Sequence, residues 1–247
     1  MQSNNPAFND NLLAHFDHAA TRSTSMTVQG TSIKTLVLLA IVMGTAAWSW
    51  TSASAGQLGG EVLFGAAIGG FVVALITIFK PTLAPWTAPV YAALEGVFLG
   101  ALSQQIDLRY PNTQIAMQAV ALTGGVTFVM LFLYMTGLVR VTGQLATAIT
   151  AATGAIALVY LVSFAMSFFG REFPYIHQAG PIGIGFSIFV VGLAAFNLLL
   201  DFDFIEKGSA AGLPKAMEWY GAFGLMVTLV WLYLEVLRLL RKLQDRR

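Results

Sequence analysis

The chain has 247 residues, is 57% hydrophobic and 10% charged, and carries a net charge of +1. A soluble domain carries about a quarter charged residues, so this chain has too little charge to cover a water-facing surface. The near-neutral balance excludes a broad nucleic-acid footprint, and the absence of cysteine excludes disulfides, thiolate chemistry and cysteine-based metal sites.

Residues 1–32 are polar and precede the first apolar run, which is the wrong order for a signal peptide. They read as a mobile tail or an interfacial arm, with apolar patches at Phe8 and Leu12–Phe16. A membrane-spanning helix needs roughly 20 mostly apolar residues. Seven runs meet that length, at about 33–54, 60–79, 87–106, 114–138, 144–169, 180–204 and 218–240. This predicts an all-α polytopic membrane protein, a seven-helix transmembrane domain over 33–243 with a basic tail at 244–247. Prolines 81, 111, 174 and 214 fall between runs, where they end helices at little cost. Short connections make successive helices antiparallel. The third run is the weakest, since it contains Glu95 and lies among prolines 85, 89 and 111.

Seven spans place the termini on opposite sides. Arg22, Lys34, Lys80, Arg140, Lys207 and Lys215 then face Arg109, Arg171, Arg238, Arg241, Lys242, Arg246 and Arg247. Six against seven leaves orientation open under the positive-inside rule. Glycine clusters in GAAIGG (65–70), LTGG (122–125) and GPIGIGF (180–186) read as close-packing surfaces, because small residues let helices approach in lipid.

Most charges sit at run ends. Glu95, near the middle of the third run, is an exception, and an intramembrane carboxylate is costly without a partner or water. It reads as a proton or cation site, with a hydrogen-bonded packing role as the alternative. In NLLLDFDFIEKG (197–208), Asp203 and Glu206 share a helix face and read as a solvated helix end with Lys207 as counter-ion. Asp201 lies deeper, with Asn197 one turn before it. Glu218 opens the seventh run, where an acid suits the helix dipole. Glu235 has Arg238 three positions on, which suits an ion pair. If Glu235 meets an acid of the sixth helix instead, the two resist ionising together and form a pH-sensitive latch. His15, His18 and His177 show no metal-ligand spacing, and no hydrolase, nucleotide or zinc motif is present, so neither enzyme activity nor a cofactor is expected.

Several ordered blocks carry a family resemblance: NPAF (5–8), MTVQGT (26–31), YAALEGVFLGALS (91–103), QAVALT (118–123), LYMTGLVRVT (133–142), LLLDFDFIEKG (198–208) and MEWYGAFGLMVTLVWLYLEVLRLL (217–240). Over nearly the whole chain the sequence resembles the Bax inhibitor-1/YccA family, also called the TMBIM family, in its bacterial branch. The resemblance implies seven helices with the last at the centre, in a bacterial inner membrane. It implies a pH-sensitive calcium leak gated by carboxylates on the sixth and seventh helices, with Asp201 as the family aspartate and Glu95 as a family glutamate. The partner of Asp201 is Glu235 or Glu218, with calcium-ligand candidates at Asp201 and Glu95. The second run has no basic residue before Lys80 to bridge an acid pair. The alternative is a non-transporting membrane adaptor that modulates a membrane protease or a stress or cell-death response. Expected partners are the bilayer, calcium and a membrane protein, with no nucleic acid.

Overall fold

The computed structural model describes residues 25–170 and 178–246. The main N-terminal stretch of the expected tail, together with His15, His18 and His177, lies outside the described residues. Among the described residues seven α-helices follow in order: α1 (Val28–Ser54), α2 (Gly60–Phe79), α3 (Ala84–Arg109), α4 (Ile115–Met135), α5 (Gly143–Phe168), α6 (Pro181–Ala210) and α7 (Met217–Asp245). A 3-10 turn, Pro81–Leu83, leads into α3. The expected boundaries hold to within a few residues, with two informative departures. First, α1 starts at Val28 rather than 33, because Thr27 caps it: the Thr27 hydroxyl accepts from the Gly30 amide at 3.0 Å. Second, α6 runs on past 204 to Ala210, so Glu206 joins Asp201 and Asp203 on the helix.

Six of the seven helices are long and apolar enough to cross a bilayer; α3 is the exception among the described residues. It packs against α1, α2 and α7, and buries Ala88, Tyr91, Ala92, Gly96, Leu99, Gly100 and Ser103. A helix shielded by neighbours meets less lipid and needs less grease. Both Pro85, in its first turn, and Pro89, within it, are accommodated in the helix rather than before it.

The last helix is the hub. α7 packs against α1, α3, α4 and α6. One face joins Leu38, Tyr91, Leu99, Phe223, Met226 and Val230, and another joins Leu198, Leu199, Phe202, Leu232, Val236 and Leu237. In its most apolar window 56% of residues are buried, against 11% for α5. α5 packs on α6 through Ile149, Ile156, Val190 and Leu193. Phe64, Phe71, Phe128 and Leu158 are exposed, as lipid-facing side chains should be.

The packing role expected for the glycine clusters goes mainly to another pair. A Cβ on Gly96 would lie 2.5 Å from the Val42 carbonyl oxygen, and one on Gly100 would lie 2.2 Å from that of Ala46. This small-xxx-small pair lets α1 and α3 touch backbone to backbone, which in lipid supplies the van der Waals attraction that water would otherwise supply by exclusion. The Ser49 hydroxyl adds a bond to the Val97 carbonyl at 2.7 Å. Gly124 and Gly125, by contrast, face open space.

Candidate functional site

The polar interior gathers around α6 and α7. At the start of α7, Glu218 is 0% exposed. Its Oε1 accepts from the Thr27 amide at 3.0 Å and the Thr27 hydroxyl at 2.8 Å, and pairs with Lys215 at 2.9 Å. Its Oε2 pairs with Lys34 of α1. The dipole role expected for Glu218 is therefore joined by a larger one: the carboxylate holds the cap of α1 from across the bundle. Beside it, Met26 donates its amide to the Leu213 carbonyl at 2.6 Å, and its side chain, 1% exposed, lies beside Gly208 and Gly221. Residues 25–27 thus strap the α6–α7 turn, which Gly212 enters with φ +65° in the left-handed region.

Asp201 sits farther along the α6–α7 interface. Its Oδ1 would be 3.9 Å from a Cβ on Gly224, and the Thr228 hydroxyl one turn on is within hydrogen-bonding reach. Its Oδ2 is buried and, among the described residues, has no hydrogen-bond partner. Asn197 turns toward α5, where its amide donates to the Thr153 hydroxyl at 2.9 Å. Asp203 pairs with Lys207 at 2.6 Å, and Glu206 accepts from the Tyr134 hydroxyl of α4.

Two turns beyond Thr228 lies Glu235, 1% exposed. Its Oε1 accepts from Arg238 at 2.8 Å and from Tyr160 of α5 at 2.8 Å, while Oε2 is buried and, among the described residues, without a hydrogen-bond partner. The Arg238 guanidinium also reaches the Tyr160 hydroxyl at 2.5 Å and lies over its ring at 4.8 Å. One heptad on, Lys242 is 1% exposed and donates to the Gly183 carbonyl at 2.9 Å and the Ser187 hydroxyl at 2.8 Å. Gly224, Thr228, Glu235 and Lys242 recur at spacings of four and seven, so α7 turns a polar face along its length.

Glu95 of α3 is half-buried and lies one turn after Tyr91, whose ring edge meets Phe223 of α7 at 5.1 Å. Its Oε1 lies 3.0 Å from the place of a Cβ on Gly70, so the glycine makes room for it on α2. Among the described residues, no hydrogen bond or ion pair joins Asp201 to Glu235, Glu218 or Glu95, and no three acidic or histidine side chains gather to hold a metal ion. The neighbour of Asp201 on α7 is Thr228.

Thr27, Lys34, Tyr91, Tyr160, Thr228 and Lys242 were not singled out by sequence reasoning. A heptad count back from Lys242 through Glu235 to Thr228 marks two of them, Thr228 and Lys242, and Tyr91 lies one turn before Glu95. The others are joined only by tertiary contacts.

Fold and site together define a polytopic all-α membrane protein whose polar interior is centred on its last helix. A family model described as Bax inhibitor 1 like matches residues 5–245, and the chain belongs to that family. Comparison with curated proteins and with solved structures gives no match.

Proposed function

We propose that the protein is a carboxylate-gated cation leak, with calcium as the passing ion and Asp201 as the gate. The observation that carries this reading is the buried, unbonded Oδ2 of Asp201 between α6 and α7. Calcium is a hard ion that takes carboxylate, carbonyl and hydroxyl oxygens. An ionised Asp201 offers such oxygens, Thr228 adds a neutral one, and the missing side chain at Gly224 leaves space beside them. Protonation of Asp201 removes the charge that attracts the ion, which makes the leak pH-sensitive.

Gly224 lies six residues after Glu218 and eleven before Glu235, or about 9 and 16 Å along the helix. The gate is thus flanked by the Met26–Glu218 strap at one end and the Tyr160–Glu235–Arg238 cluster at the other. Glu95, on the far side of Tyr91, is a secondary acid of this reading. The bilayer proposed is a bacterial inner membrane, on the resemblance to the bacterial branch, and the activity is not enzymatic.

The test is calcium flux into proteoliposomes at pH 6 and pH 8, with wild type beside Asp201→Asn. A leak that differs between the two pH values, and loses that difference in the variant, is the expected result. No flux above empty liposomes at either pH would overturn it and favour a non-transporting adaptor.

A further inference from the structure

We propose that the cleft between the C-terminal turns of α3 and α7 is a binding site for one anionic phospholipid. The cleft encloses about 280 Å³ and is lined by Leu102 and Ile106 of α3 and by Leu234, Leu237, Arg238 and Arg241 of α7. The two helices run parallel: Tyr91 meets Phe223, and farther on the Ser103 and Tyr233 hydroxyls bond at 2.7 Å. The leucines therefore lie toward the bundle's middle and the arginines toward its end. Leu234 to Arg241 spans about 10 Å along the helix, the scale of a phosphodiester headgroup with the first carbons of an acyl chain.

Charge argues for an anion. Arg241 forms none of the ion pairs among the described residues. Asp245, the nearest acid in sequence, accepts from the Tyr110 hydroxyl, and Asp107 accepts from the Ala116 amide. Arg238 is held to Glu235 on one side yet still lines the cleft. Guanidinium groups at a membrane boundary above an apolar slot suit a phosphate with a chain attached. A peptide or soluble metabolite would have no use for the slot.

Native mass spectrometry of the detergent-purified protein tests this, with phosphatidylglycerol and phosphatidylcholine titrated in parallel. Wild type should retain one phosphatidylglycerol in preference to phosphatidylcholine. Arg241→Gln should lower that retention about fivefold, the share of one basic contact near a membrane surface. Ile106→Trp, which fills the slot and leaves both arginines, should lower it as well. Arg246→Gln, outside the cleft, should leave it unchanged. Equal retention of the two lipids, or equal phosphatidylglycerol retention by all four proteins, overturns the proposal. Displacement of the lipid by inorganic phosphate would also overturn it, because the site would then be one for a small anion.

Discussion

Glu218, in the first turn of α7, and Asp201, on α6 where it packs against α7, are both carboxylates, yet the fold treats them in opposite ways. Glu218 is surrounded by Lys34, Lys215 and both donors of Thr27, with all of its charge answered. Asp201 faces a glycine and a threonine, and one of its oxygens meets no donor. A buried acid is expensive unless paired. Where the fold supplies partners, the acid ties elements together. Where it withholds them, the acid is left with unused capacity for a proton or a cation. Burial alone does not separate a structural acid from a working one; the partners do.

The sharpest break in that contrast is Glu218→Ala. It leaves Lys34 and Lys215 without their counter-ion and the Thr27 amide without its acceptor. The lysines left behind are partly exposed, which softens the cost of losing a buried partner, but the hydrogen bonds lost with the carboxylate still make it about 2 kcal/mol. The expected result is a clear drop in melting temperature in detergent, with amide exchange rising first at the start of α1. An unchanged melting temperature would mean that the node holds nothing.

Asp201→Asn should behave differently. It removes no ion pair, keeps the side-chain shape and disturbs a single contact, that with Thr228. Its melting temperature should move by an amount worth about 1 kcal/mol or less, while its calcium flux changes. If instead it destabilises as much as Glu218→Ala, Asp201 is structural and the contrast fails.

How much of this was legible in the sequence follows from the range of each interaction. The seven helices were, since hydropathy and proline placement are local signals. So was the Glu235–Arg238 pair, because residues three apart on a helix are neighbours wherever the helix goes. The Glu218 node was not: Thr27, Lys34 and Glu218 are separated by up to 191 positions, and only the packing of α1 on α7 brings them together. Lys242 enters the sequence reading only as one of the cations counted for orientation, yet it is buried against the first turns of α6. The glycine pair shows the same limit. Gly96 and Gly100 resemble Gly124 and Gly125 in composition, and only the neighbour each faces distinguishes contact from open space.

The Tyr160–Glu235–Arg238 cluster lies between the two extremes and yields the smallest effect. Glu235 has one oxygen doubly bonded to partners and the other bare, so it is half answered. Tyr160→Phe removes one of its two donors but keeps the ring under Arg238 and the edge contact with Phe186 at 6.3 Å. The loss should be near that of one hydrogen bond, about 1 kcal/mol. Its signature should be local, because α5 packs on the bundle through α6 and few of its residues are buried. Amide exchange should therefore quicken along α5 while α1 and α3 keep their protection. Quickening spread evenly over all seven helices would place this cluster with the Glu218 node, as a tie for the whole bundle rather than a latch on one helix.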